Sequence, residues 1–202
     1  NETLLRYTEF DNPFVSKALN FVQLAEGDGS DIRAIGVQQD LVTAFKDNSI
    51  YVVTMSDPSD DTTIQVLKSP SNLGIVGPRA LTEDENGIVF MAKRNNFIVG
   101  VAYISGIGVV QTQDQYLVSR QLSRKIEADI LNYPSTLWED VNMIRYKNRI
   151  YAGVPKNTSS SVVDGLLWFD INRIVYDSDT DPGSWSLWDG VISNFSSESK
   201  CL

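Results

Sequence analysis

The chain has no histidine and one cysteine, Cys201, among its 202 residues. Without imidazole there is no histidine general base, no Ser-His-Asp or Cys-His arrangement, and no histidine-ligated metal. A lone cysteine closes no internal disulfide and builds no cysteine zinc site, so a disulfide-stapled mini-domain is excluded. Long apolar runs are missing too. The most apolar stretch, Phe97 to Val110, has 14 residues and is broken by Gly100, Ser105, Gly106 and Gly108, too short to cross a bilayer as a helix. Its β-branched residues and glycines predict two buried strands joined at Ser105 and Gly106, with a membrane-active loop as the alternative. Positive charge is also scarce: 17 Lys and Arg stand against 26 Asp and Glu, a net charge of −9. Such a surface repels phosphate backbones, which argues against specific nucleic-acid binding. The first residue is Asn1, and no Met or basic region leads into an apolar stretch, so we expect any targeting segment to be absent or removed, and the chain to be a fragment or a processed product.

What is present suits a folded domain. Hydrophobic residues make up 42% and charged residues 21%, a globular composition, and the length is enough to bury a core without staples. Three segments align with one another: LVTAFKDNSIYVVT (Leu41 to Thr54), ALTEDENGIVFMAK (Ala80 to Lys93) and VNMIRYKNRIYAGV (Val141 to Val154). In each, a strand-like run meets a polar turn at Asn48, Asn86 or Asn148, and a second run opens with Ile50, Ile88 or Ile150. Asparagine tolerates the positive φ of tight hairpin turns, so each segment is predicted to be a β-hairpin. A further strand is predicted after each, over Thr62 to Lys68, Asn96 to Ile104 and Gly165 to Ile171. The pieces NFVQL (Asn20 to Leu24) and IRAIGV (Ile32 to Val37) are expected to pair, and the second leads into the first hairpin. Repeated units of three or four short antiparallel strands have the pattern of propeller blades.

The turn asparagines are 38 and then 62 residues apart, so the second interval demands an insertion. Its sequence predicts one helix over Arg120 to Leu131, within an insertion at about 119–133, with Ser119 as N-cap, Pro134 beyond the end, and Leu122, Ile126 and Ile130 as an apolar stripe. The stripe is expected to dock on the sheets, and the charged face to be solvated or to grip an acidic partner. Ser56 to Asp61, Asn157 to Ser161 and Asp177 to Gly183 are polar turn clusters, and Ser196 to Lys200 is expected to be a mobile tail.

The run NFVQLAEGDGSDIRAIGVQQDLVTAFKDNSIYVV, then LGIVGPRALTEDENGIVFMAK, LVSRQLSRKIEADI, NRIYAGVP, LLWFDI and SWSLWDG together resemble the β-propeller modules of bacteriophage tail and neck proteins, such as the hubs and nozzles of short-tailed phages. The resemblance spans Asn20 to Gly190 and rests on the order of the elements. It implies an all-β fold, a β-propeller or partial propeller of four-stranded antiparallel blades with one inserted helix, covering residues 1–202. It also implies a non-enzymatic virion component located in the tail or neck. Its expected partners are other virion proteins (tail, portal or adaptor subunits) in a homo-oligomeric ring. Closed propellers have four to eight blades, whereas about three units are legible here, so the remainder is expected to be missing or supplied by neighbours.

Chemistry-bearing constellations are sparse. Asp57, Asp60 and Asp61 form one acidic cluster and Asp177, Asp179 and Asp181 another, but both lie in turn sequence, where carboxylates ordinarily cap the backbone rather than flank a sugar bond. Asp181 to Trp185 (DPGSW) resembles the structural Asp box of sialidase-type propellers with altered spacing, and reads as a turn entering a strand. As a calcium loop, Asp177 to Asp181 has Pro182 and Trp188 where the turn Gly and the bidentate Glu belong, which leaves a weak cation site at most. Glu26 to Ser30 (EGDGS) has two glycines but acids instead of a phosphate-binding Lys. Trp168, Phe169, Trp185 and Trp188 could stack on sugars, yet Trp168 and Phe169 must face opposite ways on a strand, so at least one is expected in the core or an interface. No catalytic, cofactor-binding or metal-binding residue is assigned, and no cofactor is expected. The rival readings are a carbohydrate-binding or depolymerising propeller of a tail fibre or cell-surface protein, and a protein-interaction propeller of cellular origin.

Overall fold

The turns at Asn48 and Asn148 each close a hairpin, and the strands flanking residues 85–86 pair with each other. The computed structural model describes residues 3–8, 12–24, 30–38, 41–57, 59–69, 72–84, 87–95, 97–105, 118–121, 130–170 and 185–188. In the first hairpin β4 (Leu41–Lys46) pairs with β5 (Ile50–Met55), and the Lys46 N–H donates to Ser49 O at 2.9 Å across the turn. β3 (Ile32–Gln38) adds to β4, and β6 (Ile64–Lys68) to β5, which gives a four-stranded antiparallel meander in chain order. The third hairpin joins β12 (Asn142–Tyr146) to β13 (Arg149–Val154). β14 (Gly165–Asp170) and β15 (Trp185–Trp188) extend it into a second such meander, here called the third sheet.

The middle sheet has five strands in four positions. Its edge is shared by β7 (Gly74–Ile75) and β8 (Leu81–Asp84), which pair with successive stretches of β9 (Gly87–Arg94); β10 (Phe97–Ser105) and β11 (Val118–Gln121) follow on the other side. Pro78 has no N–H to continue a ladder, and the chain bulges between Val76 and Ala80, each of which still bonds to Met91 across the gap. The bulge joins sheets: Arg79 forms a parallel bridge with Asn142, and its carbonyl accepts the Met143 N–H at 2.9 Å.

The first strands of the three sheets run parallel, side by side. Arg33, near the start of β3, and Gly74, at the start of β7, both meet Asp47. At the other ends of β3 and β8 the Val37 N–H donates to Glu83 Oε1 at 2.6 Å. One shared core fills the space between the sheets. It takes Phe45 and Ile50 from the first sheet, Ile88, Phe90 and Met91 from the second, and Ile150, Leu167 and Phe169 from the third, all almost fully buried. The Phe45 and Phe90 rings sit 4.9 Å apart at 56°, a tilted contact adding about 1 kcal/mol beyond the area it buries.

A short N-terminal hairpin, β1 (Leu4–Arg6) with β2 (Phe21–Gln23), covers the far face of the first sheet through Leu5, Val22 and Leu24. Lys46 points into this layer, fully buried, and donates to Leu24 O at 3.3 Å beside the Tyr51 ring.

Among the described residues the fold is therefore all-β, built of antiparallel sheets of four or five strands with almost no helix. Two expectations are corrected. Asn20 to Leu24 does not pair with Ile32 to Val37: β2 takes β1 and β3 takes β4, because the β4 edge offers a seven-residue strand a longer ladder. The helix does not begin at Ser119 and Arg120. Those residues lie in β11, where Arg120 stands opposite Tyr103 and Gln121 opposite Ala102, since the bare edge of β10 satisfies backbone groups that helix propensity alone would pair locally. Residues 122–129, with Leu122 and Ile126, lie outside the described residues, while Ile130 is fully buried as the stripe requires. Beyond Pro134 the backbone forms a six-residue 3-10 turn, Ser135–Asp140. Phe97 to Ser105 is one strand, and the second strand expected after Gly106 falls outside the described residues. Among the described residues no helix is long and apolar enough to cross a membrane.

Candidate functional site

Strand alternation gives the third sheet two unlike faces. Met143, Ile150, Ala152, Leu167 and Phe169 turn inward and are buried, while Ile144, Tyr151 and Trp168 stand in one cross-strand row on the opposite face. Ile144 is 54% and Tyr146 61% exposed. Nothing in the described fold lies over them, in contrast to the first sheet, whose far face the N-terminal hairpin covers.

The β12–β13 turn brings Lys147 and Arg149 to the rings of this face. Tyr146 pairs with Arg149, so the loop is Lys147 and Asn148, with Lys147 at φ 55°, the left-handed conformation that two-residue hairpin turns need. The Arg145 Nε–H donates to Lys147 O at 3.1 Å. Two cations sit over aromatic rings: Lys147 Nζ lies 5.2 Å from the Tyr146 centroid and Arg149 Cζ 4.7 Å from that of Trp168. Each such contact is worth about 0.5–1 kcal/mol at an exposed site. Arg145, Lys147 and Arg149 thus fall within five residues containing no acid.

This arrangement separates the late aromatics as their adjacency requires. Phe169 is fully buried and Trp168 half-buried on the outer face beneath Arg149. A guanidinium over the indole occupies one ring surface that a sugar would need, and Asp170 stands opposite Arg149 in the neighbouring strand. Trp185 and Trp188 occupy β15 opposite Phe169 and Leu166.

The Asp57 and Asp60 carboxylates serve their own loop. Asp57 Oδ1 accepts the Ser59 Oγ–H at 2.7 Å and N–H at 2.9 Å, and Asp60 Oδ1 accepts the Thr62 Oγ1–H and N–H at the same distances. Hydrogen bonds from the Ser59 and Thr62 hydroxyls hold the two carboxyls below their usual range, the wrong direction for a general acid. Asp61 begins a short 3-10 turn next to them. Asp177, Asp179, Asp181, residues 26–29 of the Glu26 to Ser30 segment and Cys201 lie outside the described residues. Among the described residues no group of three or more Cys, Asp or Glu could hold a metal.

Sequence reasoning missed the Arg149–Trp168 and Lys147–Tyr146 pairs. The run RYKNR in so acidic a chain was the available signal, but the β13–β14 register was needed to bring Arg149 over Trp168. No protein-family model matches the chain, and no curated protein matches it.

Proposed function

We propose that the chain is a β-propeller-type module of three blades serving as a non-enzymatic structural component of a phage virion, in the tail or neck, where it takes part in assembly and genome passage. The observation that supports the propeller reading is the set of two four-stranded meanders and, between them, one five-stranded antiparallel sheet, whose leading strands run parallel side by side, the arrangement of blades around an axis. The open outer face of the third sheet supports a module that is completed by a neighbour. The placement in a virion rests on the resemblance of Asn20 to Gly190 to phage tail and neck modules. The excess of 9 negative charges suits a wall past which DNA moves, since it repels phosphates over a Debye length of about 8 Å at physiological salt.

Immunogold labelling of purified virions with antibody against the 202-residue chain tests the placement. Gold clustered at the tail or neck is expected; virions without label, beside a positive signal in the unassembled fraction, would overturn it.

A further inference from the structure

The N-terminal hairpin is a layer apart from the three sheets. β1 and β2 pair with each other and, among the described residues, with no other strand. A two-stranded hairpin is marginally stable by itself, so what it buries decides how firmly it sits. The six strand residues are all half-buried or exposed, and Leu24, just past β2, is the fully buried anchor. Residues 12–19 of the connecting loop are all exposed, and the Ser16 Oγ–H donates back to Tyr7 O at 2.9 Å, within the hairpin itself. The core shared by the sheets contains no residue of the hairpin.

Polar groups beneath the hairpin work against its seating. Tyr51 packs in one cluster with Leu24, yet its buried hydroxyl has no hydrogen-bond partner among the described residues. Lys46, fully buried, donates to Leu24 O at 3.3 Å from a place closed to water. Lifting the hairpin rehydrates such groups, which offsets part of the apolar burial that closure brings. The cover is also partial. Ile35 and Val37 stand opposite Ala44 and Val42 on the same face and are 48% and 49% exposed. Lifting joins them to Val42, Ala44, Val53 and Val66 in one apolar surface, of the kind folded chains ordinarily keep hidden.

We infer that the N-terminal hairpin is a detachable cover, which lifts from the first sheet as one unit while the three sheets stay folded, and so hides or exposes that sheet's far face. This goes beyond the propeller-type reading and holds wherever the module is placed, since it stands on β1, β2 and the first sheet alone. A unit with few buried apolar side chains opens at a free energy well below that of global unfolding.

Native-state hydrogen exchange of the whole chain, followed by NMR across low urea concentrations, tests the inference. The Tyr7 and Leu24 amides, bonded to Asn20 O at 3.2 Å and Thr3 O at 2.9 Å, report the hairpin; the Ser69 and Met91 amides, bonded to Ile50 O and Ala80 O at 2.8 Å, report the sheets. The hairpin amides are expected to exchange on the order of a hundredfold faster than the sheet amides, with one shared urea dependence smaller than that of global unfolding. Equal protection of the two pairs overturns the cover, and so do unrelated urea dependences at Tyr7 and Leu24, which mark fraying instead of a unit. Leu24→Ala carries the test further. It should abolish protection in the hairpin and raise binding of the apolar-surface dye ANS severalfold, while Ser69 and Met91 stay protected. A Leu24→Ala chain whose sheet amides lose protection as well makes the hairpin integral to the fold and overturns the inference, as does one that keeps its hairpin protection and gains no dye.

Discussion

The Asp47 carboxylate, in the turn between β4 and β5, accepts a hydrogen bond from the Lys93 ammonium near the end of β9 and so ties the first sheet to the second. The same oxygen takes Arg33 Nε at 3.2 Å, and an Arg33 terminal nitrogen reaches Glu139 Oε1 at 3.1 Å, just before β12. One chain of charges thus runs from the first sheet through the second to the lead-in of the third. Burial pushes the Asp47 carboxyl up, but the hydrogen bond and charge of Lys93, helped by Arg33, outweigh it and hold the group below its usual range.

Lys93 is nearly buried, with 9% of its side chain exposed against 23% for Asp47, so removing one partner strands the other in a poorly solvated place. Lys93→Met should lower the unfolding free energy by about 1–3 kcal/mol. Adding Asp47→Asn should cost clearly less than the sum of the two single changes. Urea denaturation of the four proteins measures this coupling, and strictly additive losses would show the pair to be energetically idle.

The pH dependence follows from the same carboxylate. Since the folded state holds Asp47 below the unfolded value of about 3.9, its contribution is fully present above that value and disappears as pH falls through the lower folded one. The stability gap between the unmodified chain and Asp47→Asn should stay constant from neutral pH down to about pH 5 and then narrow. Acid titrations followed by tryptophan fluorescence would reveal it; a gap that widens below pH 5 reverses the sign and refutes the linkage.

Two glycines sit at sheet junctions with different room to yield. A Cβ on Gly74 would stand 2.0 Å from the Asp47 carbonyl oxygen, which is backbone, while one on Gly36 would stand 2.8 Å from Ile88 Cδ1, the tip of a side chain. Gly74→Ala should therefore be severe, above about 3 kcal/mol, and Gly36→Ala milder, about 1–2 kcal/mol. Ile88→Val removes the clashing methyl and should recover part of the Gly36→Ala loss. Thermal melts of the variants rank them, and equal losses at the two glycines would contradict this packing.

Tyr51 is 4% exposed, and its hydroxyl is buried with no hydrogen-bond partner among the described residues. Removing an unsatisfied hydroxyl relieves desolvation instead of breaking a bond. Tyr51→Phe should be neutral or stabilising by up to about 1 kcal/mol, whereas Phe90→Ala in the shared core should cost about 3–5 kcal/mol. Equilibrium unfolding separates the two, and a marked loss in Tyr51→Phe would reveal a bond to that oxygen.

The hairpins belonged to the sequence. Asn48, Asn86 and Asn148 sit between short alternating runs, and a turn that needs only a few neighbouring residues to reach its backbone angles is decided locally. The strands after each hairpin, β6, β10 and β14, were legible for the same reason, as was the opposition of Trp168 and Phe169. Pairings between distant segments were not. β2 chose β1, and residues 118–121 joined β10 instead of opening a helix, because an unpaired strand edge elsewhere in the chain offered hydrogen bonds that local propensity does not register. The candidate site divides in the same way. The cations Arg145, Lys147 and Arg149 are visible in the sequence as a basic island in an acidic chain, but the seating of Lys147 over Tyr146 and of Arg149 over Trp168 came from strand register, which puts Arg145 opposite Ile150 on the other face. The Asp47–Lys93 tie, spanning 46 residues, is wholly tertiary, since only the packing of one sheet on another brings those charges together.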